Sequence, residues 1–440
     1  MAKFIVQGGR PLKGSVRIGG AKNAGFKLMI ASLLLSGETR LLNLSRIGDV
    51  EITAKILTSL GARLESRGER TIFIKAKGLS ACEIPLCFGK VSRTAPLFVG
   101  PLLARFGRAV FPLPGGDPLG SRPIERFLAG WEIFGCRIKI KKETVRIDCP
   151  YLKGGYYRFA KPTHTGTEAM IMTAVLAKGK TILENAALEP EVDDLIKFLN
   201  NAGAKIKREP FRRIKIEGVK QLGGVIHSVM PDRNEAVSYA CAALATRGDV
   251  IIENARVEDM KAFLDKVKEA GGKFAVDSFG IRFWYDKRLR ASDIITRPHP
   301  GFMSDWQPLW TVLMTQAKGT SRIVETVHNF RFHFANDINR MGGKIEFFNP
   351  EPADPETFYN FTLDPDQSEN FHGAKIIGPT PLEAVKTEFA DIRAGATLTI
   401  AALIAKGKSI LKKAEEVDRG YEDLDGRLRE LGAKIKRVAS

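Results

Sequence analysis

The chain has 440 residues, 44% apolar and 27% charged, and its 68 basic and 50 acidic residues give a formal charge of +18. That length exceeds what one hydrophobic core usually supports, so two domains of roughly 200 residues each are expected. Composition excludes a disordered or low-complexity chain, no apolar run reaches the ~20 residues of a membrane span, and Met1-Ala2-Lys3-Phe4-Ile5-Val6 is too poor in apolar content for a signal peptide.

In chain order, a short strand within residues 3 to 20 leads through Gly19-Gly20-Ala21-Lys22-Asn23 into a helix, and from there one plan recurs six times. Each copy reads as a small-residue-rich helix, a Gly-containing turn, a β-branched strand, an acidic or Asn-containing loop, a second helix and a further strand. The second helices close at Gly61-Ala62, Gly135-Cys136, Gly203-Ala204, Gly271-Gly272, Gly342-Gly343 and Gly432-Ala433, a period of about 70 residues. In the third copy, Met170, Ile171, Ala174 and Val175 keep helical spacing, Lys178-Gly179-Lys180 stops that helix, and Thr181-Ile182-Leu183 reads as a strand. Leu195, Ile196, Phe198 and Leu199 mark its second helix, which Gly203 ends before the strand Lys205-Ile206-Lys207.

A repeat of this kind cannot bury its apolar faces alone, and six of them divide into three per domain. Copies beginning near Lys22, Arg93 and Gly166 form one domain over residues 21–230. Those beginning near Arg233, Asp305 and Arg393 form the other, over 231–440 together with 1–20. The fold class is therefore α/β, two barrel-like domains of three βαβαββ-type repeats each.

The positive charge calls for anionic partners. A nucleic-acid partner is not expected, because the lysines and arginines are spread along the chain without the basic stripe and interleaved aromatics such a partner needs. Cys82, Cys87, Cys136, Cys149 and Cys241 include no Cys-x-x-Cys pair and read as reduced side chains. His328 and His333, five apart, share a face on neither helix nor strand, so no metal site is expected.

Four loops combine the residue types that chemistry on a small anion requires. In Gly19-Gly20-Ala21-Lys22-Asn23, two glycines open the backbone ahead of a helix N-terminus that favours anions. Residues Pro112 to Pro123 hold three glycines and four prolines with Asp117 and Arg122 between them, the parts of a lid. Asp305, after Pro298-His299-Pro300-Gly301, reads either as a helix N-cap or as a general base. Asp391 and Arg393 have alternate spacing, which on a strand puts both charges on one side, either toward a ligand or toward each other.

With these loops stand Gly19-Gly20-Ala21-Lys22-Asn23-Ala24, Gly100 to Gly107, Leu113-Pro114-Gly115-Gly116, Glu184-Asn185-Ala186-Ala187, Glu189-Pro190-Glu191, Pro231-Asp232-Arg233, Glu325-Thr326-Val327 and Asp418-Arg419-Gly420-Tyr421-Glu422. By this ordered set the sequence resembles, over essentially its whole length, the UDP-N-acetylglucosamine 1-carboxyvinyltransferases of the enolpyruvyl transferase family. The resemblance implies two inside-out α/β domains with the site in a cleft, and transfer of the enolpyruvyl group of phosphoenolpyruvate to the 3'-hydroxyl of UDP-N-acetylglucosamine. That reaction is the first committed step of peptidoglycan precursor synthesis, and so serves the cell wall, cell shape and cell division. It further implies that Lys22, Arg122 and Arg419 hold the substrate phosphate and that Arg331 and Arg393 hold its carboxylate. Asn23, Arg93, Lys161, Thr163, Gly166, Asp305 and Val327 match positions that contact the UDP-sugar, and Asp391 joins them as a binding residue. Asp305 would take the hydroxyl proton, and Lys22 or Asp117 would protonate C3. No cofactor is implied. A cytoplasmic monomer without membrane or nucleic-acid partners is expected.

Departures from the family pattern are specific. Asp117 stands where most members carry a cysteine, so a proton can still be delivered but the thiolate nucleophile is absent, and insensitivity to the epoxide fosfomycin is expected. Phe127 replaces a histidine near the nucleotide, Gly48 replaces a lysine, the Pro162–Gly166 stretch has one extra residue, and the chain from Gly343 to Asp391 is longer, with Pro350, Pro352, Pro355 and Pro365 in it. Phe127 and Gly48 open one alternative, a different nucleotide-sugar acceptor; a non-catalytic UDP-sugar-binding paralogue is a second, against which the retained acids and the five anion-binding cations argue. A 5-enolpyruvylshikimate-3-phosphate synthase would show Gly-Ser-Lys-Ser and Asn-Ala-Gly-Thr where this chain has Gly-Ala-Lys-Asn and Ser-Arg-Thr-Ala.

Overall fold

The computed structural model describes residues 2–89, 94–113, 124–363 and 370–439, with the backbone alone at 125 and 126. The chain falls into two compact units, Met1–Gly19 with Pro231–Ser440, and Gly20–Asp117 with Ser121–Met230.

Six sheets are present among the described residues, three in each unit. The repeat is clearest where the sequence signal was strongest. Tyr156–Arg158, the helix His164–Ala174, Lys180–Glu184, the helix Pro190–Asn201, and the hairpin Lys205–Glu209 and Arg213–Glu217 follow one another as βαβαββ. The last three strands pair antiparallel and Tyr156–Arg158 adds to Lys180–Glu184 in parallel. The other four-stranded sheets share this scheme. In the three-stranded sheet the parallel strand shrinks to a single bridge, Glu83 to Val110.

The first helix of most repeats is apolar nearly all round, which marks a helix buried on every side. In the first unit, Arg233–Ala245, Gln307–Met314 and Ile392–Ile404 are such helices and pack on one another, with nearly every residue buried. In the second unit Lys22–Ala31 and His164–Ala174 are buried along nearly their whole length, and Val99–Phe106, buried over Val99 to Leu103, packs on His164–Ala174. The second helices are amphipathic; Val257–Glu269 buries Met260, Phe263, Leu264 and Val267 with Asp259 beside them and turns its other charges outward. Helices at the core with sheets around them form the inside-out α/β arrangement.

Two expectations are corrected. The segment 3–20 is not one strand: Ala2–Gln7 and Lys13–Arg17 belong to different sheets of the same unit, and the chain turns between them at Gly9, whose φ is +87°. Asp391 and Arg393 do not lie on a strand, because Asp391 caps the helix Ile392–Ile404, accepting from the backbone N–H of Arg393 at 2.7 Å and of Ala394 at 3.1 Å. Within the longer stretch from Gly343 to Asp391, residues 349–372 contribute only the short helix Pro355–Phe358 among those described.

All six closing glycines have positive φ, from +79° at Gly271 to +104° at Gly203. At Gly203 a Cβ would meet nothing within 4 Å, whereas at Gly218, where φ is ordinary, it would sit 1.6 Å from the carbonyl oxygen of Ala177. Gly203→Ala should therefore cost about 1–2 kcal/mol from the left-handed backbone alone, and Gly218→Ala more than ~3 kcal/mol because two backbones must separate. Urea unfolding of the two variants checks the order; equal losses would refute it.

Candidate active site

In the first unit the three inner helices bring their amino-terminal ends together, and each end carries charge. Asp232 caps Arg233–Ala245, accepting from the N–H of Asn234 at 2.7 Å and of Glu235 at 3.1 Å. Arg393 lies in the first turn of Ile392–Ile404. Asp305 lies in the short turn Ser304–Trp306 ahead of Gln307–Met314, and it caps no helix, which removes the N-cap reading. Its side chain is instead shared by two guanidiniums: Arg331 Nη2 donates to Oδ1 at 2.8 Å and Arg393 Nη2 to Oδ2 at 2.9 Å. Both arginines are more than nine-tenths buried, while Asp305 keeps 19% of its side chain accessible. Burial alone would favour a neutral Arg393, but Asp305, Tyr421 and Asp232 together outweigh it and raise the guanidinium pKa further.

Around this centre each arginine has a second partner. Arg331 Nε donates to Ser304 Oγ at 3.3 Å, and Ser304 Oγ donates to Glu325 Oε2 at 3.0 Å. Arg393 Nη1 donates to the Tyr421 hydroxyl at 3.2 Å. Glu325 is fully buried; its other oxygen accepts from Thr296 Oγ1 at 2.8 Å and from the N–H groups of Val327 at 2.8 Å and His328 at 2.9 Å. Burial pushes its carboxyl above the ordinary value, against the pull of Arg331 and these donors. Val327 is thus placed by its backbone at the end of the strand Gly319–Val324.

Asp391 pairs with His333, Nε2 to Oδ2 at 2.7 Å, and not with Arg393. Burial would raise the Asp391 carboxyl, but His333, Arg331 and the cap N–H of Ala394 outweigh it and hold it below the ordinary aspartate value. Arg419 follows the short helix Glu415–Asp418 and lies 3.6 Å from Glu416.

In the second unit, Lys22 opens the helix Lys22–Ala31 and its Nζ lies 2.8 Å from Asp49 Oδ2, in the first turn of Gly48–Ser59. Asn23 follows it, half-buried. Thr163 caps His164–Ala174, accepting from the N–H of Gly166 at 3.3 Å. Gly166 is required there, because a Cβ would sit 2.5 Å from Thr163 Cγ2. Lys161, half-buried, lies two residues ahead of this cap. Phe127 stacks on Trp131 with ring centroids 5.8 Å apart. Arg93, Asp117 and Arg122, with most of the Pro112–Pro123 loop, lie outside the described residues.

Residues 6–428 match the family described as EPSP synthase (3-phosphoshikimate 1-carboxyvinyltransferase). The chain belongs to this family. Relatives named UDP-N-acetylglucosamine 1-carboxyvinyltransferase are 38% identical in Sorangium cellulosum, over 100% of this chain and 99% of the relative. They are likewise 38% identical in Trichlorobacter lovleyi, over 100% of both. Among solved structures, the enolpyruvyl transferase NikO from Streptomyces tendae superposes with a TM-score of 0.85 at 22% identity, covering 100% of this chain and 99% of that one. EPSP synthase from Acinetobacter baumannii gives 0.73 at 19%, with both chains covered completely. The two-domain fold expected from the repeats is the fold of these enzymes, and the protein is an enolpyruvyl transferase of that family.

Three features of this transferase escaped the sequence. Glu325 and Tyr421 lie in motifs quoted for the resemblance, yet nothing in their spacing reveals the long-range partners Ser304 and Arg393. The buried pair Lys27 and Glu168, joined by His164 Nε2 at 3.1 Å from Lys27 Nζ, links the inner helices of the first and third repeats. Its only signal is a charged residue inside an apolar helix. Among the described residues no group of His, Cys, Asp and Glu could hold a metal ion, and no helix is long and apolar enough to cross a membrane.

Because the Asp391 carboxyl is depressed in the folded state, its contribution to stability is present above the ordinary aspartate range and is lost as pH falls through the lowered value. Asp391→Ala should lose about 1–2 kcal/mol at neutral pH, the worth of a helix cap, and the gap to the unmodified protein should narrow in acid. Urea titrations over a pH series measure it, and a gap independent of pH would count against the assignment.

Proposed function

We propose that the protein transfers the enolpyruvyl group of phosphoenolpyruvate to the 3'-hydroxyl of UDP-N-acetylglucosamine. The observation that carries this reading is Asp305 held between Arg331 and Arg393: a carboxylate suited to take a hydroxyl proton, next to two cations suited to a substrate carboxylate. The names and full-length identity of the relatives support the acceptor. Each charge-assisted hydrogen bond to a small anion contributes about 1.5–3 kcal/mol, so several arginines and lysines around one such substrate give useful affinity.

In this reaction Asp305 takes the hydroxyl proton, the sugar oxygen bonds to C2, and C3 gains a proton from Lys22 or Asp117. The C2–O bond to phosphorus then breaks, C3 loses a proton, and inorganic phosphate departs with the double bond restored. Lys22, Arg122 and Arg419 take the phosphate, and Arg331 and Arg393 the carboxylate. Asn23, Arg93, Lys161, Thr163, Gly166, Val327 and Asp391 serve the nucleotide sugar. The protein acts as a cytoplasmic monomer in peptidoglycan precursor synthesis.

Phosphate release from phosphoenolpyruvate should occur with UDP-N-acetylglucosamine and not with shikimate 3-phosphate or without acceptor. Asp305→Asn should lower kcat by roughly 10²–10⁴-fold. Release with shikimate 3-phosphate instead would overturn the acceptor assignment.

With Asp117 in place of the reactive thiol, preincubation with fosfomycin should leave the rate unchanged with time. Time-dependent loss of activity with a covalent mass increase would show that another nucleophile takes the role.

A further inference from the structure

The two arginines on Asp305 are themselves oriented by two chains of hydrogen bonds, both inside the first unit. A hydroxyl has one proton to give, and that fixes the direction of each chain. Ser238 gives its one proton to the carbonyl of Asn234 at 2.8 Å, so in the 2.8 Å link between Ser238 Oγ and Tyr421 the tyrosine donates, and the Tyr421 oxygen accepts from Arg393 Nη1. In the same way Arg331 Nε donates to Ser304, whose proton goes to Glu325 Oε2. Both chains end on acceptors fixed by other contacts: the Asn234 carbonyl belongs to a buried helix, and Glu325 is held by Thr296 and two backbone N–H groups. Tyr421 is 1% exposed and Glu325 0%, so water does not compete for these links.

A guanidinium is planar, with its N–H groups in fixed directions. Holding Arg393 by Nη1 therefore determines where Nη2 points, and holding Arg331 by Nε determines its Nη2, and both Nη2 groups point to Asp305. We infer that Tyr421 and Glu325 are positioning residues for the transfer reaction, Tyr421 acting through Arg393 and Glu325 acting through Ser304 on Arg331. The inference rests on the reaction proposed above; neither residue touches substrate in that scheme.

Tyr421→Phe keeps the ring, 5.7 Å from the Arg393 guanidinium, and removes only the hydroxyl. It should raise KM for phosphoenolpyruvate roughly tenfold, as expected for one hydrogen bond to a charged group, with KM for UDP-N-acetylglucosamine and the thermal midpoint little changed. Ser304→Ala cuts the second chain while leaving Glu325 and its backbone partners in place, and should have the same signature; Glu325→Gln then tests the charge itself. Double-mutant cycles separate orientation from general damage. The Tyr421→Phe effect should vanish in an Arg393→Lys background and persist in Arg331→Lys, with the reverse for Ser304→Ala. A wild-type protein that releases no phosphate sinks the transfer reading and this inference with it. An active wild type sinks the inference alone if the two variants match it, if their effects add to those of their own arginines, or if both KM values and the thermal midpoint shift together.

Discussion

Two largely buried guanidiniums meeting on one carboxylate is the interaction around which the first unit is organised. A buried charge that loses its partner typically costs 3–5 kcal/mol, so Arg331, Arg393 and Asp305 must arrive together although they lie up to 88 residues apart in sequence. The fold solves this by repetition. Each repeat opens with an all-buried helix, the three helices pack on one another, and their amino-terminal ends converge. Residues just before or inside those first turns are then brought together whatever their separation along the chain. The helix dipoles add a potential that favours anions at the same place.

The same logic explains what the sequence made legible. A helix ended by a left-handed glycine leaves a large apolar residue four positions before that glycine, and six such endings at a roughly regular spacing revealed the repeat and with it the architecture. Loops rich in Gly and Pro ahead of the inner helices pointed to Lys22 and Asp305 for the same reason, and the alternate spacing of two charges pointed to Asp391 and Arg393. Periodicity failed where burial is complete. Ala394-Gly395-Ala396-Thr397-Leu398 has no polar face to mark a 3.6-residue period, so Asp391 and Arg393 fitted a strand as well as a helix start. Likewise Ser304 and Glu325, or Arg393 and Tyr421, are joined only by the third dimension, and a single chain carries no trace of such pairings.

The departures from the family pattern are accommodated locally where they are described. Phe127 stacks on Trp131, itself fully buried, so an aromatic at this position is anchored to the core of the second unit. Gly48 begins the helix whose next residue, Asp49, holds Lys22; glycine there leaves the Lys22–Asp49 pair without a neighbouring side chain from position 48.

Burial also separates charges that build the protein from charges that act on a ligand. Glu235 and Arg427, 2.9 Å apart, and Lys27 with Glu168 have almost no accessible surface on either partner. Such pairs cannot exchange one another for a substrate without opening the core, and their contribution is to fix one packing of the inner helices. At the Asp305 centre the two cations are enclosed while the carboxylate they share still meets solvent. That asymmetry leaves the anion as the exchangeable member: in the reaction proposed above, an incoming carboxylate takes over guanidinium N–H groups already aimed at an oxygen, and Asp305 is then released to accept a proton. A rigid pair of cations around a replaceable anion needs orienting contacts on the far side of each guanidinium, where Tyr421 and Ser304 stand.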